Sequence, residues 1–235
     1  MGNAPNYIIL AEILVLFFGI GLHEYAHCKF ADLAGDPTPR YYGRVTLNLF
    51  KHFEASGTIM MVVSSLFGYG LGWGRAAICT PSKMHHPRRD WFISVAAGPM
   101  SNVVQATIYA FILRLTMHSG WFFSLTTDET MLFLKSWLVY GVAINLGLCI
   151  FNLIPFGPLD GHWLVGLLLP EKQRFYWFKF NNAVGRTGLI VIVLMLQTAH
   201  IQLTTGPVRS SFHFLTGQDL YSAFDILYPP IPNGT

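Results

Sequence analysis

Residues 7–30 read YIILAEILVLFFGIGLHEYAHCKF, an almost wholly apolar run that closes on two histidines, a glutamate and a lysine. The apolar part reaches the roughly 17 to 25 residues that a helix needs to cross a hydrocarbon core of about 30 Å. Composition extends this reading to the whole chain. Of its 235 residues, 52% are apolar and only 11% charged, with a mean hydropathy of +0.43, against about 25% charged residues in ordinary soluble domains. The sequence therefore predicts an all-α polytopic membrane protein.

Apolar segments lie at about 7–31, 58–74, 90–114, 131–156 and 183–200. Residues 58–74, TIMMVVSSLFGYGLGWG, hold four glycines, each of which weakens a helix interior by about 1 kcal/mol relative to alanine. This segment is expected to dip into the membrane and return, leaving about four transmembrane helices plus one re-entrant or short hydrophobic element. In GRVTLNLF (43–50), Val45, Leu47 and Leu49 alternate with Thr46 and Asn48. That period of two predicts a small membrane-associated β element. Residues 1–200 read as one membrane-embedded domain, and residues 201–235, ending YPPIPNGT, as a C-terminal surface segment. The first run lacks a basic n-region and a small-residue cleavage site and reads as a retained span.

Cys28, Cys79 and Cys149 are widely spaced and odd in number, which gives neither a disulfide framework nor a CxxC pair. The net charge of +3 is spread over loops, and no nucleic-acid motif is present; the expected surroundings are the lipid bilayer.

His23 and His27 are four apart, so on a helix they sit one turn apart on one face and can offer two nitrogens to one cation. Glu24 follows His23, where the glutamate of an HExxH motif serves as a general base beside the metal. An ionisable group deep in a membrane helix costs about 2.5 to 3.5 kcal/mol on insertion scales and is usually functional. Catalytic zinc takes three protein ligands, and Asp160 in FNLIPFGPLDGHW is the candidate third. There the apolar segment 131–156 breaks at Pro155, Gly157 and Pro158. Irregular backbone at membrane depth is tolerated where it is buried in protein or lines a wet cavity. On this stretch alone, Asp160 reads equally well as the first residue of an Asp-Gly turn.

HEYAH at a helix end, followed in order by GDPTPRYYGRVTLN, AAGPMSN and NLIPFGPLDG, resembles the site-2 protease family of intramembrane zinc metalloproteases, in its compact form without PDZ or CBS domains. The resemblance spans roughly residues 15–168. It implies one zinc ion per chain held by His23, His27 and Asp160, with Glu24 as general base. It further implies that Asn152 positions or stabilises the substrate carbonyl, and that the substrate is a transmembrane or membrane-anchored protein. Leu49 stands where the pattern has proline, HFEASG replaces HxDPxG, and His162 and Trp163 follow PLDG. These departures touch substrate contacts more than the proposed ligands, although His162 is a possible alternative ligand. The rival classes are a polytopic metal transporter and a non-catalytic zinc-binding scaffold.

Direction of travel supplies a further expectation. The histidines and Asp160 each lie near the C-terminal end of an apolar segment, so those segments must run the same way for the ligands to meet. That holds only if residues 58–74 do not cross. Twelve of the fifteen lysines and arginines then gather on the side of the ligands, leaving Arg114, Lys135 and Arg209 on the other. The positive-inside rule turns the ligand side to the cytoplasm, as expected for a multi-pass protein of the cell membrane.

Overall fold

The computed structural model describes residues 5–66, 72–124, 128–198 and 205–227, with the side chains of 186, 187 and 189–198 left aside. Among the described residues, three helices are long and apolar enough to span a membrane: α1 (Asn6–Leu33), α4 (Pro87–His118) and α5 (Glu129–Asn152). At 1.5 Å per residue, even the 24-residue α5 extends about 36 Å. These three pack against one another and form the body of the protein. The outer face of α4 carries Ile93, Met100, Val104, Ile108, Phe111 and Leu115, all exposed. Such a three-to-four-residue stripe of uncovered apolar side chains is what a lipid-facing helix presents.

The turns fix the directions. α1 ends at Leu33, and Gly35 adopts φ 99°; a Cβ there would lie 2.6 Å from Cε1 of the His85 ring. The N–H of His85 donates to the Ala34 carbonyl at 2.9 Å, so α4 starts where α1 ends and runs back beside it. Asp128 caps α5, accepting from the N–H groups of Thr130 (2.8 Å) and Met131 (3.1 Å), and α5 returns to the end of the bundle where α1 finishes. There Pro155 and Pro158 stop the helix. A short α6 (Asp160–Leu168) begins so close to α5 that a Cβ on Gly161 would overlap the carbonyls of Leu153 and Ile154.

Between α1 and α4 lie α2 (Thr38–Tyr41) and α3 (Ala55–Leu66). α3 has 12 residues, about 18 Å, which is short of a bilayer core. The chain on either side of it comes together: the Arg75 N–H donates to the His52 carbonyl at 2.7 Å, and Trp73 Nε1 donates to Glu54 Oε1 at 2.8 Å. Both ends of the 53–75 segment therefore meet at the end of the bundle where α1 finishes. Residues 67–71, part of the glycine-rich stretch, lie outside the described residues.

The β element expected at 43–50 is replaced by bends followed by a 3-10 turn at Leu49–His52, and no strand occurs among the described residues. The alternation had no sheet to face. Leu47 is exposed, while local side chains take up the backbone groups: Asn48 N–H donates to Thr46 Oγ1, and His52 Nε2 to the Thr46 carbonyl.

α7 (Glu171–Thr198) contains most of the apolar segment at 183–200, but nearly all side chains of that segment lie outside the described residues. Beyond it, α8 (Thr205–Thr216) and α9 (Leu220–Asp225) close over the opposite end of the bundle from Asp160. Val208, Phe212, Leu220, Ala223 and Leu227 share one buried cluster with Ile8 of α1, Leu113 of α4 and Val139 of α5. One side of α8 and α9 thus packs into this cluster, while Phe214 and Tyr221 stay exposed on the other.

Candidate metal centre

α1 and α4 face each other turn by turn. Gly19 meets Asn102, whose Nδ2 donates to the Gly19 carbonyl at 3.1 Å. His23 meets Gly98, and His27 meets Ser94, whose hydroxyl donates to the His27 carbonyl at 2.9 Å. The four-residue spacing on each helix produces this register. Gly98 is the gap in it: a Cβ there would overlap His27 Nε2 and lie 2.7 Å from His23 Nε2. The missing side chain is what lets the two imidazoles converge.

Both ring tautomers follow from their partners. His27 Nδ1 lies 2.8 Å from the Ser94 carbonyl, which can only accept. His23 Nδ1 lies 2.7 Å from Asn102 Oδ1. The Asn102 amide is oriented in turn, because its Nδ2 donates to the carbonyl of Gly19 and to Asn145 Oδ1 at 2.9 Å, and Asn145 Nδ2 donates to the Gly141 carbonyl at 2.9 Å. Both Nδ1 atoms therefore carry protons, and each ring turns its Nε2 inward.

Those Nε2 atoms are 3.0 Å apart, and Asp160 Oδ2 lies 3.1 Å from His23 Nε2 and 3.3 Å from His27 Nε2. Asp160 Oδ2 is buried and has no hydrogen-bond donor. Three lone-pair-bearing atoms at such distances repel one another, and a cation shared between them relieves all three repulsions at once. Protons on both Nε2 atoms would leave two N–H groups crowded at 3.0 Å. Tetrahedral zinc, with ligands at about 2.0 to 2.2 Å, spaces its donors about 3.3 to 3.6 Å apart, close to the triangle observed. Among the described residues this is the one group of three His, Cys, Asp or Glu side chains able to hold a metal ion, and two imidazoles with a carboxylate leave a fourth position open.

Glu24 lines the same cavity of about 170 Å³, together with Asn152, Ala76, Ala77, Trp91 and Trp163. The backbone of Gly74 lies on Glu24, so that a Cβ there would be 2.7 Å from Glu24 Cγ. Asn152, the last residue of α5, gives one amide N–H to the Leu148 carbonyl at 2.9 Å and keeps a second. The sequence-derived residues His23, Glu24, His27, Asn152 and Asp160 are thus brought to one place. His162 is not: its Nδ1 donates to the Leu159 carbonyl at 2.5 Å, and its ring stands 4.7 Å from that of Trp163 beside a separate hollow. Burial pushes its pKa down. The residues that hold the histidines in place and were not among the candidates read from the sequence are Ser94, Gly98, Asn102 and Asn145. Their signal is the four-residue step Ser94, Gly98, Asn102, which copies that of Gly19, His23 and His27.

A helix-borne His-Glu-x-x-His set joined by an aspartate from another helix has the ligand chemistry of a zinc metalloprotease. The chain is 35% identical over 186 residues to the protein named "Putative zinc metalloprotease YwhC" of Bacillus subtilis (strain 168), covering 78% of the present chain and 79% of that protein. It belongs to the zinc metalloprotease family that this relative represents. No family profile and no solved structure matches the chain.

Proposed function

We propose that the protein is an intramembrane zinc metalloprotease of the site-2 protease type, cleaving peptide bonds within or next to the transmembrane segments of membrane proteins. The observation that carries this reading is the position of the donor triangle, built by α1 and by the start of α6 within a bundle of membrane-length helices, the two histidines lying 10 and 6 residues before the end of α1. Residues 1–200 hold the catalytic apparatus. The meeting of His52 and Arg75 supports a re-entrant 53–75 segment, which brings α1 and α5 to the metal in the same direction. With α7 as a fourth span, the basic residues favour a cytoplasm-facing site in the cell membrane.

His23, His27 and Asp160 would hold one zinc ion, which supplies Lewis acidity to a peptide carbonyl and brings the pKa of water near 7. Glu24, next to this position, accepts a proton from the attacking water and passes it to the leaving amine. The remaining Asn152 N–H donates to the developing oxyanion. A substrate helix has its carbonyls already hydrogen-bonded, so it must unwind locally. Next to the cavity, the backbone groups of residues 76–79 carry no hydrogen bond among the described residues, and an extended peptide can pair with them by strand addition. Trp91 and Trp163 wall the cavity against bulk water.

The test compares purified protein with its Glu24→Gln variant for zinc content and for cleavage of a tagged transmembrane peptide. One zinc per chain in both, with cleavage by the wild type alone, is the expected result. Equal zinc with cleavage in neither would support a scaffold, and zinc flux into proteoliposomes a carrier.

A further inference from the structure

Arg44 is 3% exposed, yet no carboxylate pairs with it among the described residues. Its Nη2 donates to the backbone carbonyl of Arg75, while Nε and Nη1 are buried without a hydrogen-bond partner. A buried guanidinium left this incompletely satisfied is costly, and the contact it does make is to backbone. It holds one peptide unit from one side, and the His52 carbonyl holds the N–H of the same residue from the other, at 2.7 Å. His52 is itself fully buried, with Nε2 on the Thr46 carbonyl at 3.0 Å. Residue 75 is therefore clasped between two residues of the 44–52 loop. The residue before it, Gly74, lies on Glu24, and the two after it, Ala76 and Ala77, form a wall of the catalytic cavity. Farther on, the fully buried Asp36 accepts from the Thr80 N–H at 2.5 Å. Between these two anchors the span has no other backbone hydrogen bond among the described residues.

We infer that Arg44 is a substrate-positioning residue: by clasping the Arg75 carbonyl, it sets the height of residues 74–77 above Glu24 and so the wall against which the peptide is aligned. This rests on the protease reading and concerns how the peptide is bound. A clasp of this kind acts equally on bound substrate and transition state, so its loss raises KM and spares kcat.

The experiment uses the full-length protein in proteoliposomes with a tagged transmembrane peptide. Arg44→Gln should keep wild-type zinc content, raise KM about 10- to 100-fold and change kcat by less than about threefold. Arg44→Lys, which keeps the charge but not the fork, should fall between the two. An unchanged KM, or a fall in kcat at constant KM, overturns the inference. Backbone hydrogen exchange provides a second readout in the conservative Arg44→Lys variant, which decides the matter if Arg44→Gln does not fold. Residues 73–77 should exchange faster while α4 and α5 do not, and unchanged exchange at 73–77 rejects the clasp. If the wild type cleaves nothing, the protease reading fails on its own, and hydrogen exchange still tests the clasp.

Discussion

Placing a methyl group at residue 98 tests whether the two imidazoles converge through a gap in α4. In Gly98→Ala the new Cβ would lie 2.7 Å from His23 Nε2 and overlap His27 Nε2. Ordinary non-bonded separations are about 3.5 to 4.0 Å, so the rings must retreat by about 1 Å or the helices must part. Displacement of that size typically costs about 10²-fold in rate, and the overpacking itself about 1 to 3 kcal/mol. A 10- to 100-fold weaker hold on zinc, equivalent to about 1.4 to 2.8 kcal/mol, should appear in a chelator competition. Thermal unfolding provides the control: zinc should raise the midpoint of the wild type more than that of the variant, because ligand stabilisation follows affinity. Wild-type zinc affinity together with wild-type cleavage in Gly98→Ala would refute the reasoning, since it would mean that the Nε2 atoms do not meet against this face of α4.

Three further outcomes follow from the same geometry. Asn102→Ala removes the acceptor at His23 Nδ1 and frees the ring to turn; zinc affinity should fall about 10- to 100-fold in the same competition. Asn152→Ala should lower kcat about 10²- to 10³-fold with zinc content unchanged by elemental analysis. Phe212→Ala, far from the metal, should cost about 3 to 5 kcal/mol in reversible unfolding and leave zinc stoichiometry intact, because Phe212 is fully buried in the cluster that α8 closes.

The donor triangle was legible because its signals are local. Two histidines at helical spacing in an apolar run, and an aspartate after a proline-broken helix, have few other readings together. The shared direction of α1 and α5 was also accessible, since it needs only the count of crossings. GRVTLNLF misled because alternation promises a strand only where a partner strand exists, and here His52 and Thr46 use the backbone groups locally. The C-terminal helices were hidden by composition. Val208, Phe212 and Thr216 recur at four-residue steps on the buried side of α8, but the serines, threonines and proline around them masked the stripe. Asn102 and Asn145 escaped as orienting groups because the tautomer of His23 depends on how α1 and α4 align, which neither segment reveals by itself.

That alignment constrains how the chain can change. Gly19, His23 and His27 meet Asn102, Gly98 and Ser94 one turn at a time. A residue inserted between Gly19 and His23 would rotate the histidine pair by about 100° around α1 without altering the apolarity of the span. The bilayer would accept such a chain and the metal would not. Length variation in α1 and α4 should therefore collect at their far ends, where the helices can lengthen without turning the histidines away from Gly98.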